Sequence, residues 1–221
     1  MYESWPWYRI FIMSADAELS EFLLRACHDL RGPLRNVRLH TELLAKNGAS
    51  DPELDFVVNG AIGASAVVDG LSDYALALVI DPSRFQPVLL DIMLRSAISK
   101  LAAPIRDSGA EVTYGDLPTI EGNGDRLLQL FEYLLDDALR RGGTKVRVSA
   151  EATDDAFLFT VSDNGAPLAE TVEREFKPFA RLHGNQRPGP GLAVCRAIVE
   201  HHGGTMWAES GAMRFTLPEG R

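Results

Sequence analysis

The chain has 221 residues, room for one large domain or two small ones, with 46% hydrophobic and 24% charged residues, the balance of an ordinary globular protein. Its formal net charge of −9 argues against nonspecific binding to nucleic acid or anionic membranes, which needs clustered positive charge. The two cysteines, Cys27 and Cys195, lack disulfide or metal-site spacing and fit a reducing, cytoplasmic compartment, and no apolar run is long enough for a transmembrane segment.

Residues 1–14 contain "MYESWPWYRIFIM", an aromatic N-terminal arm without the apolar core of a signal peptide. From Asp16 to Lys46 apolar residues such as Leu19, Leu23, Leu30, Leu34, Val37 and Leu44 recur at three- and four-residue steps, which predicts a helix. "KNGASDPE" is a short loop, and Asp51 and Pro52 fit the N-cap and first position of a second helix over Glu53–Val79. Residues 15–82 thus form a helical hairpin. A hairpin alone buries only part of each apolar stripe, so pairing with a second copy into a four-helix bundle, a homodimer, is expected.

At "DPSRFQP" the periodicity changes. "FQPVLL" reads as a strand, Asp91–Asp107 as a helix and "AEVTYG" as a strand. A helix follows over "GDRLLQLFEYLLDDALRRGG", with Asp125 as its N-cap, then two hairpin strands, "KVRVSAEA" and "AFLFTVSD", turning at Asp154 and Asp155. "GLAVCRAIVEHHGG" is a further helix, and "TMWAES" and "MRFTLP" are closing strands. Residues 83–221 therefore read as an α+β sandwich, helices on one face of a mostly antiparallel sheet.

The chemistry concentrates in "ACHDLRGPLRN". His28 sits mid-helix beside Asp29, and an imidazole with one unprotonated nitrogen is a good nucleophile toward a phosphoryl group. Asp29 can hold the proton of the other nitrogen. A lone His-Asp pair is more often a solvated helix face, but Pro33 follows within a turn and a half, bending the helix and freeing a backbone carbonyl. His201 and His202 precede two glycines at a helix end and read as imidazolium groups facing the helix dipole.

His28, Asp29, Leu30, Arg31, Gly32, Pro33 and Leu34 resemble the phosphoacceptor box of sensor histidine kinases, His-Glu/Asp-Leu-Arg-x-Pro-Leu. Further boxes of that family follow in order: "YLLDDALR" with Tyr133, Asp137 and Arg140, "DNGAP" with Asp163 and Gly165, "FKPFARLHG" with Phe176 and Phe179, and "RPGPGLAV" with Gly189, Gly191 and Leu192. The spelling is nearest the phytochrome-like branch. The resemblance implies the family's ATPase fold for 83–221, ATP and Mg²⁺ as cofactors, and transfer of a phosphoryl group from ATP to His28 and on to a response-regulator receiver domain. In that reading Asp163 accepts from the adenine amino group, Gly165 lets backbone pass the base, and Gly189, Gly191 and Leu192 approach the phosphates. Arg140 balances phosphate charge, and Asp137 stands where the family has its metal-binding Asn.

The departures gather at the phosphate end. Tyr133 replaces a family Asn, Asp137 replaces the second, Pro167 replaces a glycine, and Arg187 stands where the lid has its first glycine. They leave an alternative open: an ATP-independent dimeric histidine phosphotransferase, or a pseudokinase that keeps the sandwich only for docking.

Overall fold

The computed structural model describes residues 6–46, 52–166, 176–177 and 191–219. The chain divides between Val79 and Ile80 into two compact units.

The first unit is the expected hairpin of α1 (Pro6–Lys46) and α2 (Pro52–Ala77). Helix α1 begins at Pro6 and not near Ser14, so the segment read as an arm is helical from Pro6 onward. Pro6 suits this role, since the first helical position needs no N–H donor, and no glycine or proline intervenes before Gly32. Pro33 lies inside a helix that continues to Lys46. Its missing N–H leaves the carbonyl of Asp29, one turn back, without its usual helical donor. Ala61, Val68 and Ala75 of α2 and Cys27 of α1 are buried, and the buried Ser20 hydroxyl donates to the Ala75 carbonyl at 2.8 Å. By length and composition Leu54–Ala77 meets the measure of a membrane-crossing helix, with a mean hydropathy of 1.4, contrary to the expectation of no such run. Only 17% of its most apolar stretch is buried, and Phe56, Val57 and Ile62 stand exposed on it.

The second unit opens with a 3-10 turn (Pro82–Arg84) whose Asp81 cap accepts from the Ser83 N–H at 2.9 Å. Hydrogen bonding from Ser83, by its hydroxyl first and its N–H second, holds the Asp81 carboxyl below its ordinary pKa. Strand β1 (Gln86–Leu89) pairs antiparallel with β3 (Thr119–Gly122) in a sheet of two. Between them lie α3 (Leu90–Lys100), α4 (Ala102–Ser108) and β2 (Glu111–Tyr114). One continuous helix was the sequence expectation for Asp91–Asp107. It breaks at Leu101 because Pro104 cannot donate to the Lys100 carbonyl and its ring crowds that oxygen. Gly109 ends α4 in the left-handed conformation, φ 66°.

Helix α5 (Gly124–Arg140) is capped by Asn123, whose side chain accepts from the Arg126 N–H at 3.2 Å; Asp125, the expected cap, lies in the first turn. Then come β4 (Lys145–Ala152), β5 (Ala156–Asp163), α6 (Gly191–His201), β6 (Met206–Glu209) and β7 (Ala212–Pro218). The larger sheet runs β2-β4-β5-β7-β6, with β2 parallel to β4 and the other pairs antiparallel. Its inner face carries Phe159 stacked on Phe215 with ring centres 4.7 Å apart. The apolar stripe of α5 (Leu127, Leu130, Phe131, Leu134, Leu135), the buried face of α3 and nearly all of α6 complete the core. Burying each such side chain contributes about 1.5–3 kcal/mol. The helical hairpin followed by an α+β sandwich is the fold class expected from the sequence.

Candidate functional site

In the hairpin, His28 and Asp29 occupy adjacent positions of α1 and their side chains are 87% and 83% exposed. His28 Nδ1 lies 3.2 Å from Asp29 Oδ1. A carboxylate only accepts, so Nδ1 carries the hydrogen and the Nε2 lone pair of the neutral ring faces solvent. One turn on, Arg31 Nε donates to Asp69 Oδ1 of α2 at 3.1 Å, an exposed link between the two helices beside the histidine. His28, Arg31, Arg35 and Arg38 follow one helix face and line an open cleft of about 480 Å³ with Ser65 and Asp69. The cleft thus gathers three guanidinium groups around one imidazole, with Arg31 paired to Asp69 and Arg38 to Glu42 at 3.5 Å. Cys27, next to His28, is buried, and desolvation raises its thiol pKa, so it is a packing residue and not a competing nucleophile.

In the second unit, α5, the end of β5 and the start of α6 carry the other candidate residues. Tyr133 and Asp137 are one turn apart on α5. The Tyr133 ring lies against the first turn of α6: a Cβ added to Gly191 would fall 3.0 Å from Tyr133 Cδ1. Leu192, the next residue, is buried in the core. Arg140, half-exposed, pairs with Asp136 at 2.7 Å through one helical turn. Asp163 is the last residue of β5 and opens a tight turn. The Asn164 carbonyl oxygen of the side chain accepts from the N–H groups of Thr144 and Lys145, each at 2.8 Å. Gly165 is a glycine by necessity, since a Cβ there would meet the Arg141 carbonyl at 2.7 Å and the Gly143 nitrogen at 2.8 Å.

Arg141, a residue the sequence reading did not single out, joins these pieces. Its Nε donates to Asp137 Oδ2 at 3.0 Å, while Nη2 and Nη1 donate to Asp163 Oδ2 and Oδ1 at 2.5 Å and 3.3 Å. Nη1 also reaches the Ala166 carbonyl at 3.2 Å. Asp163 Oδ1 accepts a further bond from the Gly165 N–H at 2.8 Å. The Asp163 side chain is 1% exposed, Asp137 10% and Arg141 13%. The available signal was helical spacing, because Arg141 lies four residues after Asp137 and so shares its face.

Mg²⁺ takes carboxylate or amide oxygens in a near-ideal octahedron, and adenine needs a carboxylate oxygen it can reach. In this arrangement a cation already bridges Asp137 and Asp163, so the residues fit neither magnesium nor an adenine amino group while Arg141 stays in place. Among the described residues no cluster of three metal-ligating side chains occurs. Cys195, buried on α6, has its thiol pKa pushed well up, first by burial and then by the Asp137 charge. Phe176 is buried beneath the Arg196 guanidinium, 3.7 Å from its ring centre. Gly189, Pro167, Phe179 and Arg187 lie outside the described residues.

Residues 122–221 match the family of histidine kinase-, DNA gyrase B- and HSP90-like ATPases. The phytochrome-like protein Cph1 of Synechocystis sp. is 30% identical over 226 residues, an alignment covering 93% of this chain and 30% of Cph1. These likenesses support a sensor histidine kinase core. The chain spans about 30% of the length of the phytochromes it matches. Two solved kinases share the fold of this core. Full-length ShkA in complex with AMPPNP has a TM-score of 0.67 at 24% identity, over 90% of this chain and 45% of ShkA. ThkA in complex with the response regulator TrrA has a TM-score of 0.64 at 19% identity, over 99% of this chain and 67% of that one.

Proposed function

We propose that this kinase core acts in two-component signal transduction, with His28 as the phosphoacceptor. The observation that carries this is the exposed imidazole whose Nδ1 is engaged by Asp29, which leaves Nε2 as the nucleophile. In the transfer Nε2 attacks the γ-phosphorus of ATP taken up by the second unit. A P–N bond forms, the bond to the bridging oxygen breaks, and ADP leaves with that electron pair; the Nδ1 proton stays on the ring against Asp29. The carboxylate of a receiver-domain aspartate then takes the phosphoryl group, and the imidazole returns neutral. Arg31, Arg35 and Arg38 would steady the phosphoryl oxygens during the exchange.

In this reading residues 1–14 are an N-terminal arm, 15–82 the dimerisation and phosphoacceptor domain and 83–221 the ATPase-like domain of a cytoplasmic homodimer. The exposed Leu19, Phe22, Leu30, Leu44 and Phe56 form the apolar surface that a second hairpin would cover. Incubation with γ-labelled ATP and Mg²⁺ tests the proposal. Acid-labile label on the native chain and none on His28→Ala is the expected result; equal labelling of both would overturn it.

The Arg141 bridge and the Tyr133 ring against Gly191 favour a second reading, the ATP-independent phosphotransferase. In that case a phosphorylated receiver domain would label His28 while ATP never does.

A further inference from the structure

The carboxylate that the kinase reading gives to adenine is already bonded from within the chain. Asp163 is closed off from solvent at 1% side-chain exposure, and both its oxygens accept: one from Arg141 Nη2, the other from Arg141 Nη1 and the Gly165 N–H. The same guanidinium holds Asp137, where the family has a neutral amide. A two-pronged pairing of a planar guanidinium with a carboxylate is among the strongest polar contacts a side chain makes. It is further secured because separating the partners would leave two buried like charges facing one another. Arg141 is the C-cap residue of α5, past the last helical turn, and its side chain is 13% exposed, more than either carboxylate it holds.

We propose that Arg141 is an internal latch on the nucleotide site: adenine and the Arg141 guanidinium compete for Asp163, and a nucleotide binds only the form in which the latch has left. The inference rests on the reading that the second unit takes ATP. The excess negative charge at Asp137 has its counter-ion in the latch, so a freed site needs a neutral residue there. This is why Asp137→Asn accompanies loss of the arginine in the test.

Titration calorimetry with AMPPNP and Mg²⁺ on the full chain compares the native protein, Arg141→Lys and the double variant Arg141→Ala/Asp137→Asn. The double variant should bind roughly tenfold more tightly or better than the native chain. Arg141→Lys, which keeps the charge but loses the fork, should fall between. Affinities equal within about twofold, or no binding by any of the three chains, would overturn the latch. A melting curve by circular dichroism accompanies each variant. If the double variant has no cooperative melt, the Arg141 Nε–H resonance of the native chain decides: it must shift when nucleotide binds, and bound nucleotide with an unmoved resonance refutes the proposal. Labelling of His28 is followed separately. Lost labelling with the affinity gain intact counts against His28 as acceptor and not against the latch.

Discussion

His202 carries its proton on Nδ1, which donates to the Ile198 carbonyl at 2.7 Å, while Nε2 accepts from the Asn123 N–H at 3.0 Å. The ring is buried and stacks on Phe85 with centres 4.6 Å apart. The sequence reading of an imidazolium facing the helix dipole is therefore corrected for this residue: its partners require the neutral ring. Burial lowers its pKa most, the Ile198 carbonyl opposes that shift, and the His201 charge adds to it. An unfolded chain takes up this proton near pH 6.5, while the native chain resists until a lower pH. Stability is thus full above about pH 6.5, declines as pH falls toward the native value, and is level below it. The urea midpoint of the native chain should drop between about pH 7 and 5, and His202→Gln should flatten that dependence. "HHGG" shows a helix end plainly in the sequence. The burial of one histidine was not legible, because its partners Phe85 and Asn123 come from distant stretches.

At the scale of elements, most boundaries follow from local chemistry: the apolar periods of α1, α2 and α5, the alternation of β4 and β5, and the glycines that end helices. Two misreadings have local causes. Pro104 divides a continuous apolar period, and β3 is only four residues long, so it shows no period of its own and takes its form from pairing with β1. The β6–β7 hairpin gives a direct test of how packing sets glycine requirements. A Cβ on Gly204 would stand 1.8 Å from the Thr216 carbonyl oxygen, a backbone atom held in place by the Thr216 N–H bond to the Thr205 carbonyl. Gly204→Ala should cost more than about 3 kcal/mol and lower the melting temperature of the second unit steeply. Gly211, at φ 80° with open space around its would-be Cβ, faces only the left-handed penalty, so Gly211→Ala should cost about 1–2 kcal/mol by the same measurement.

For the whole molecule, legibility divides along the chain. The proposed acceptor site is legible as a local pattern because His28, Asp29 and Pro33 are neighbours in one helix. The donor half was only partly so: the family boxes give Asp137 and Asp163, but the contact that joins them runs through Arg141, 22 residues from Asp163. Arg31, Arg35 and Arg38 also stand out only against the whole, as a basic stripe on a chain of net charge −9. Dimerisation belongs to this scale. Phe22 is 68% and Phe56 80% exposed, more than a stable monomer usually leaves bare on one hairpin. Sedimentation equilibrium should give a dimer for the native chain and a monomer for Phe22→Asp/Phe56→Asp, with His28 labelling reduced if transfer crosses between copies; a native monomer would remove the four-helix bundle.

The turn after β5 also bears on how the protein ages. Asn164-Gly165 is the dipeptide most open to deamidation, in which the glycine nitrogen attacks the asparagine side-chain carbonyl carbon and ammonia departs. Here that nitrogen donates to Asp163, and the asparagine side-chain oxygen accepts from the N–H groups of Thr144 and Lys145. The same bonds that shape the turn engage both the attacking and the attacked groups, so this Asn-Gly pair, one of four in the chain, is protected by its own fold.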